Sequence, residues 1–222
     1  MSTVRVKYQT FEFGNDDIHI RTLRDRQQFS DDDSKAEDLG ISSAQWPLFG
    51  VVWPSSEVLA CLMSEYEVAG KRILEVGCGM ALASIILNHR EMDITATDYH
   101  PEVEKFLNIN TDLNNDNHIP FIRTGWADAD SGLGKFDMII GSDLLYESEH
   151  IVLLADFIQQ HAKPDSEVII VDPGRGNHAK FSKKMMTLGY DFHQEKPAKT
   201  NNLKELFKGQ IIYYNRLVNK NL

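Results

Sequence analysis

Cysteine is scarce in this chain of 222 residues: there are two, Cys61 and Cys78. Two cysteines build no disulfide framework, and neither stands in a metal-type spacing. A reducing compartment, and so a cytoplasmic place, is the expectation. Basic runs are missing too. Twenty-three Lys and Arg face 33 Asp and Glu, for a formal net charge of −10. Binding to nucleic acid needs a basic surface that neutralises phosphates, so nucleic acid is not expected as a partner. A basic or neutral substrate fits the charge better. Long apolar runs are absent as well. The longest, "MALASIIL" at 80–87, falls far short of the ~20 residues that span a bilayer. The N-terminal "MSTVRVKYQTFEF" lacks the apolar centre of a signal peptide. No membrane association is therefore expected. The eight histidines show no ligand spacing such as H-E-x-x-H, and no metal is expected.

What is present is alternation. Residues 3–23 carry apolar residues at every second position on either side of "GNDD", which predicts a β-hairpin. The acidic stretch "SDDDSKAED" at 30–38 reads as a solvated loop or a helix cap. Pro54 suits the first turn of a helix, and Val58, Leu59, Leu62 and Met63 continue it as an apolar stripe. After this the chain alternates apolar strands (72–76, 93–98, 120–125, 136–142, 167–172) with helices (81–89, 101–114, 150–161, 177–189). "YDFHQE" and "GQIIYYNRLV" then read as a final antiparallel pair. Such a pattern implies an α/β fold with a mostly parallel sheet covered on both faces. The expected organisation is a hairpin and acidic loop over 1–40 as an appendage, and one globular unit over 41–222.

The turn "LEVGCGMA" at 74–81 joins the first core strand to its helix. Ligands of open α/β sheets bind at the carboxyl ends of the strands. Gly77 and Gly79 remove the Cβ atoms that would keep a ligand off the backbone. Asp98 ends the next strand, 19 residues after Gly79, where a carboxylate can accept hydrogen bonds from ribose hydroxyls. The third glycine of a dinucleotide fingerprint would fall at Leu82, and no P-loop is present. A nucleoside ligand without a pyrophosphate fits best, and S-adenosylmethionine is one. A plain tight strand–helix turn would use the same glycines, so the turn alone decides little. Its strand context, Glu75 and the spaced Asp98 favour the nucleoside.

With these residues in view, the chain resembles the class I, seven-stranded S-adenosylmethionine-dependent methyltransferases over roughly residues 45–218. "ILEVGCGMA" is similar to that family's first motif and "ITATDYHPEV" to its second. Ala81 stands where the family has a third glycine, and a slightly tighter fit is expected there. "FGVVWPSSEVLACLM" and "SDLLYE" resemble the stretch before the first motif, and the Asp/Glu-x-x-Tyr/Phe motif after the fourth strand, of lysine methyltransferase-like family 16. "VDPGRG" at 171–176 is similar to the segment after the fifth strand in the branch that acts on the electron-transfer flavoprotein β-subunit.

The resemblance implies a doubly wound, Rossmann-like seven-stranded sheet with an antiparallel C-terminal strand. It implies a methyltransferase that uses S-adenosylmethionine, with a protein lysine as the favoured acceptor and a small-molecule N- or O-methyltransferase, acting on an amine for instance, as the alternative. Glu75, Gly77, Cys78 and Gly79 would flank the methionine and ribose, and Asp98 would bind the ribose hydroxyls. Trp53 would lie against the cofactor. Trp126 would sit near the adenine, with Tyr99 either packed there or capping the sheet, and Asp128 as a further candidate for the adenine amine. Ser142 would close the pocket. Asp143 would orient the incoming amine, and Tyr146 would form an aromatic wall. Arg175 would meet a substrate acid or pair with Asp172. "DLLY" lacks the prolines of the Asn/Asp-Pro-Pro-Tyr/Phe motif found in methyltransferases of adenine or glutamine amides. A catalytically silent cofactor-fold protein is the remaining alternative, and the intact Gly77, Gly79 and Asp98 speak against it.

Overall fold

A computed structural model describes residues 4–129, 132–198, 200, 203 and 206–216. The expected strand positions Thr3, Leu217 and Val218 lie outside the described residues. A seven-stranded sheet forms the centre, in the order β5-β4-β3-β6-β7-β9-β8. Its strands are β3 (Ile73–Val76), β4 (Ile94–Asp98), β5 (Phe121–Arg123), β6 (Phe136–Ser142), β7 (Ala162–Asp172), β8 (Asp191–Glu195) and β9 (Gln210–Asn215). The pairs β3–β4, β3–β6, β4–β5 and β6–β7 are parallel, while β9 runs antiparallel to both β7 and β8. This is the expected Rossmann-like sheet.

The central strands are apolar on both faces because both faces are covered. All four residues of β3 are buried. Ile73 faces a core shared with α2 (Pro54–Glu65), α3 (Leu82–His89) and α4 (Val103–Leu113). Leu74 and Val76 face the opposite core, shared with α5 (His150–His161) and α6 (His178–Thr187). The helix before them all, α1 (Lys35–Asp38), is one turn long. The carboxylate of Asp31 caps it, accepting from the Ala36 and Glu37 amides at 2.9 and 2.8 Å. The acidic stretch thus acts as a helix cap. Strand β7 starts five residues before the expected 167, because Ala162 pairs with Phe136 ahead of a register shift.

The predicted hairpin is β1 (Val6–Phe13) and β2 (Asp16–Leu23), turning at Gly14–Asn15. It does not hang free. The side-chain amide of Asn110 exchanges hydrogen bonds with the N–H (2.8 Å) and C=O (3.3 Å) of Arg21. Asn114 does the same with His19, at 2.8 Å in both directions. The spacing explains the fit. Residues four apart on a helix rise about 6 Å, and residues two apart on a strand advance about 6.8 Å. Two asparagines on α4 therefore match two backbone positions on the outer edge of β2. The hairpin's inner face adds Ile18, Ile20 and Leu23 to the core. Leu23 also takes the Gly50 carbonyl at 2.8 Å, which ties the hairpin to the segment before α2.

Candidate functional site

Successive strands β3, β4 and β5 step one way across the sheet, and β6 and β7 step the other. The order therefore reverses between β3 and β6. A crevice opens outside the carboxyl ends of strands at such a reversal. The glycine turn leaves β3 there, and "SDLLYE" leaves β6 beside it.

The turn is a run of left-handed residues. Gly77, Gly79 and Ala81 have φ of 59°, 52° and 55°. Glycine reaches this region freely, whereas alanine is strained in it. The departure at Ala81 therefore carries a conformational cost. Backbone bonds hold the turn to β4: the Cys78 amide donates to the Thr97 carbonyl at 2.9 Å, and the Gly79 amide to Asp98 Oδ2 at 2.8 Å. Cys78 is buried, and that burial pushes its thiol well above the ordinary value. Three segments converge on the turn. A Cβ on Gly77 would stand 2.6 Å from Leu144 Cδ2 and 3.6 Å from Trp126 Cζ2. One on Gly79 would stand 3.3 Å from the Phe49 carbonyl oxygen.

Around this turn the expected residues take distinct positions. Asp98 ends β4, and its second oxygen accepts from the His100 amide at 2.9 Å. Burial raises its pKa, and these amide bonds oppose the rise. Glu75 is buried and turned to the start of α3, where it accepts from Ser84 N at 2.9 Å and from Ser84 Oγ. Burial pushes its carboxyl up to about 7. Trp53 is the residue just before α2; its Nε1–H donates to the Leu48 carbonyl at 3.1 Å, and Arg26 lies 4.6 Å over its ring. Tyr99 is half exposed, donates its hydroxyl hydrogen to the Leu39 carbonyl at 2.9 Å and flanks Gly125. Asp128 accepts from Gly125 N at 2.7 Å and from Thr124 Oγ1 at 3.0 Å, so its side chain closes the turn that carries Trp126.

On the β6 side, Ser142 ends the strand in register with Val171. Asp143 follows in the left-handed region at φ 55°, with its amide donating to the Val171 carbonyl at 2.9 Å. Its carboxylate is gripped by Arg175, Nε to Oδ1 and Nη2 to Oδ2, each 2.8 Å. Arg175 thus pairs with Asp143 and not with Asp172, one of its two expected partners. Asp172 is fully buried and instead accepts from the Gly174 amide at 3.0 Å. The left-handed Gly174 (φ 99°) and Gly176 (φ 86°) turn the chain so that Arg175 reaches across to β6. Tyr146 is exposed, with its ring edge-on to His150 at 5.0 Å. His150 also meets Trp126 edge-on at 5.2 Å. This row, Trp126–His150–Tyr146, links the two halves of the crevice. Sequence reasoning missed His150, since no ligand spacing marked it; its place at the first position of α5, four residues after Tyr146, was the available signal.

The site thus presents a left-handed glycine turn flanked by Leu144, Trp126 and Phe49, a carboxylate on its β4 side, and an arginine-paired carboxylate with aromatic neighbours on its β6 side. That suits a nucleoside ligand in the turn and a hydrogen-bond donor such as an amine at the rim. Among the described residues no group of three His, Cys, Asp or Glu could hold a metal ion, and no helix is long and apolar enough to cross a membrane.

The chain is similar to known proteins. The profile of a lysine methyltransferase family matches residues 36–187. The electron transfer flavoprotein beta subunit lysine methyltransferase of Xenopus laevis is 27% identical over 140 residues, covering 61% of this chain and 55% of that protein. The calmodulin-lysine N-methyltransferase of Arabidopsis thaliana is 28% identical over 153 residues, covering 63% of this chain and 50% of that one. The chain thus spans about half the length of these curated relatives. Among solved structures, a methyltransferase from Pyrococcus furiosus aligns with a TM-score of 0.60 at 19% identity, covering 75% of this chain and 84% of that chain. At that identity the likeness is one of fold.

Proposed function

The chain belongs to the lysine methyltransferase family, and we propose that it is an S-adenosylmethionine-dependent protein-lysine N-methyltransferase. One observation carries the reading: at the reversal of strand order, the left-handed glycine turn and Asp98 stand on one side, and Asp143 and Tyr146 on the other. The residues fit the cofactor. A Cβ at Gly77 or Gly79 would crowd Leu144 or the Phe49 carbonyl, so the turn closes with glycine at both positions, and Leu82 stands where a pyrophosphate fingerprint has its third glycine. S-adenosylmethionine, when bound, supplies an electrophilic methyl group.

The chain's own part is to bind, orient and exclude water. Asp98 gives one lone pair on each oxygen to backbone amides. About two more remain for ribose hydroxyls. Trp126 covers Gly77, and Tyr99 and Trp53 line the approach from the β4 and α2 sides. Ser142 and Asp143 bound the methyl side, and Tyr146 walls the entrance. Tyr146 is open to solvent, which suits the tip of a side chain presented by another protein. Its ring can attract a methylated ammonium. The chain carries two cysteines, Cys61 part-buried and Cys78 buried, and this low count supports a cytoplasmic place of work.

The test pairs calorimetry of cofactor binding with labelling of a host lysate by methyl-tritiated S-adenosylmethionine. Acid hydrolysis of labelled protein should yield methyl-lysine. Label confined to small molecules, or recovered as methyl-histidine or methyl-arginine, would overturn the lysine assignment. Absence of cofactor binding would overturn the enzyme.

A further inference from the structure

Lysine sets a problem for this site. Its side chain has a pKa near 10.4, and only the neutral amine has the lone pair that attacks a methyl group. A bare carboxylate beside the acceptor would hold the amine as ammonium. Asp143 is not bare. Both its oxygens are bound by Arg175 at 2.8 Å, in a side-on pair whose carboxylate side chain is 13% exposed. Geometry from three directions enforces the pair. Asp143 is pinned through its amide to Val171 in a left-handed conformation. The turn after β7 is pinned through Gly174 to the buried Asp172. The two left-handed glycines then aim Arg175 back over β6.

We propose, on the basis of the lysine methyltransferase reading above, that Arg175 is a positioning residue that neutralises Asp143, so that the acceptor lysine is oriented by the carboxylate without being held in its charged form. An ionised carboxylate has about four lone-pair sites. Arg175 occupies two, and the others accept N–H hydrogens of a neutral amine. The lysine ammonium first loses one proton to solvent. Its Nζ lone pair then forms the N–CH3 bond while the S–CH3 bond breaks. Sulfur keeps the bonding pair and loses its positive charge, and the methylated nitrogen becomes a cation that can shed its extra proton to solvent.

Other charged and titratable groups face this pair. Tyr146 and Glu147 lie on the same loop, with Glu147 3.4 Å from His150 Nε2 on α5. Asp172 acts on Arg175 from β7, and Asp98 on β4 acts on Tyr146. His178 on α6 sits 3.7 Å from Asp172. None of them touches both oxygens of Asp143, so the removal of Arg175 leaves a net negative charge at the acceptor position.

The experiment follows the pH dependence of tritium transfer into the major wild-type protein band of a host lysate. Arg175→Gln and Arg175→Lys are compared with wild type, with the cofactor Kd of each measured by calorimetry. Arg175→Gln should shift the rise in rate towards alkaline pH by about one unit, which is about tenfold less free amine at neutral pH. Its cofactor Kd should stay within about twofold of wild type. Arg175→Lys restores the positive charge and should return the midpoint most of the way. An unchanged midpoint in Arg175→Gln would overturn the proposal and leave lysine methylation standing. A loss that is the same for Gln and Lys would assign Arg175 a role in shape alone. Wild-type transfer to no protein band at any pH would remove the lysine reading and this inference together, an outcome distinct from both.

Discussion

The carboxylate of Asp98 accepts the Gly79 amide at 2.8 Å. The residue proposed to bind the ribose therefore also holds the turn proposed to carry the methionine. Asp98→Ala removes a charged hydrogen-bond acceptor from both. Hydrogen bonds to charged groups contribute about 2 kcal/mol, or roughly a thirtyfold change in affinity. Calorimetry should show at least a tenfold weaker cofactor Kd, with Asp98→Asn intermediate. An Asp98→Ala protein that binds as tightly as wild type would exclude Asp98 from the ribose site.

Ala81 occupies a left-handed position at φ 55°. Alanine costs about 1 kcal/mol there, and glycine does not. Ala81→Gly should raise Tm by roughly 2–4 °C for a chain of this size, read by thermal unfolding at one pH. A lower Tm would show that the Ala81 methyl group contributes more by packing than it costs in strain.

Two buried groups give opposite pH dependences. Burial raises Glu75 from 4.5 to about 7. Between those values the folded state holds a proton that the unfolded chain has released, so stability falls as pH rises through that window. Burial lowers His100 from 6.5 to about 4. Between those values the unfolded chain holds the extra proton, so stability falls as pH falls. Each contributes up to about 1.4 kcal/mol per pH unit, and the two largely cancel between about 4.5 and 6.5. Glu75→Gln should expose the histidine slope: Tm of that variant should drop more steeply than wild type as pH falls from 6.5 to 4.5.

The asparagine pair on α4 makes a local prediction. In Asn110→Ala/Asn114→Ala, the backbone groups of His19 and Arg21 lose their partners. The His19 bonds are exposed and the Arg21 bonds part-buried, so water replaces much of what is lost and each bond contributes about 1 kcal/mol. Amide hydrogen exchange at His19 and Arg21 should accelerate by at least tenfold, while β3 and β6 keep their protection. Equal acceleration in all strands would mean that the hairpin and the sheet open as one unit.

The sheet was legible because periodicity is local. "RILEV", "DITATD" and "KFDMII" are short apolar runs bounded by turns, and each forms a central strand. The positions of the glycine turn, Asp98 and "SDLLYE" at strand ends were legible for the same reason, since each stretch directly follows or closes an apolar run. Contacts between distant residues were not. Arg175 and Asp143 lie 32 positions apart, and nothing in either local stretch favours that pairing over the nearer Asp172. It takes the left-handed Gly174 and Gly176 to decide it. Glu75 was expected beside the cofactor, and the structure turns it to Ser84, nine residues on, because α3 folds back over β3. The asparagine pair on α4 reads as ordinary helix surface until the hairpin, 89 and 95 residues earlier in the chain, is laid against it.

That pair has a consequence for how the molecule behaves among its neighbours. A two-stranded ribbon leaves unpaired backbone along its outer edges, and such an edge can recruit a strand from another chain. On β2 the inviting positions are His19 and Arg21, and two side-chain amides already satisfy them. Asn110 and Asn114 act as a surrogate third strand that cannot be extended, so the hairpin is closed to self-assembly along that side while remaining anchored to the core of the sheet.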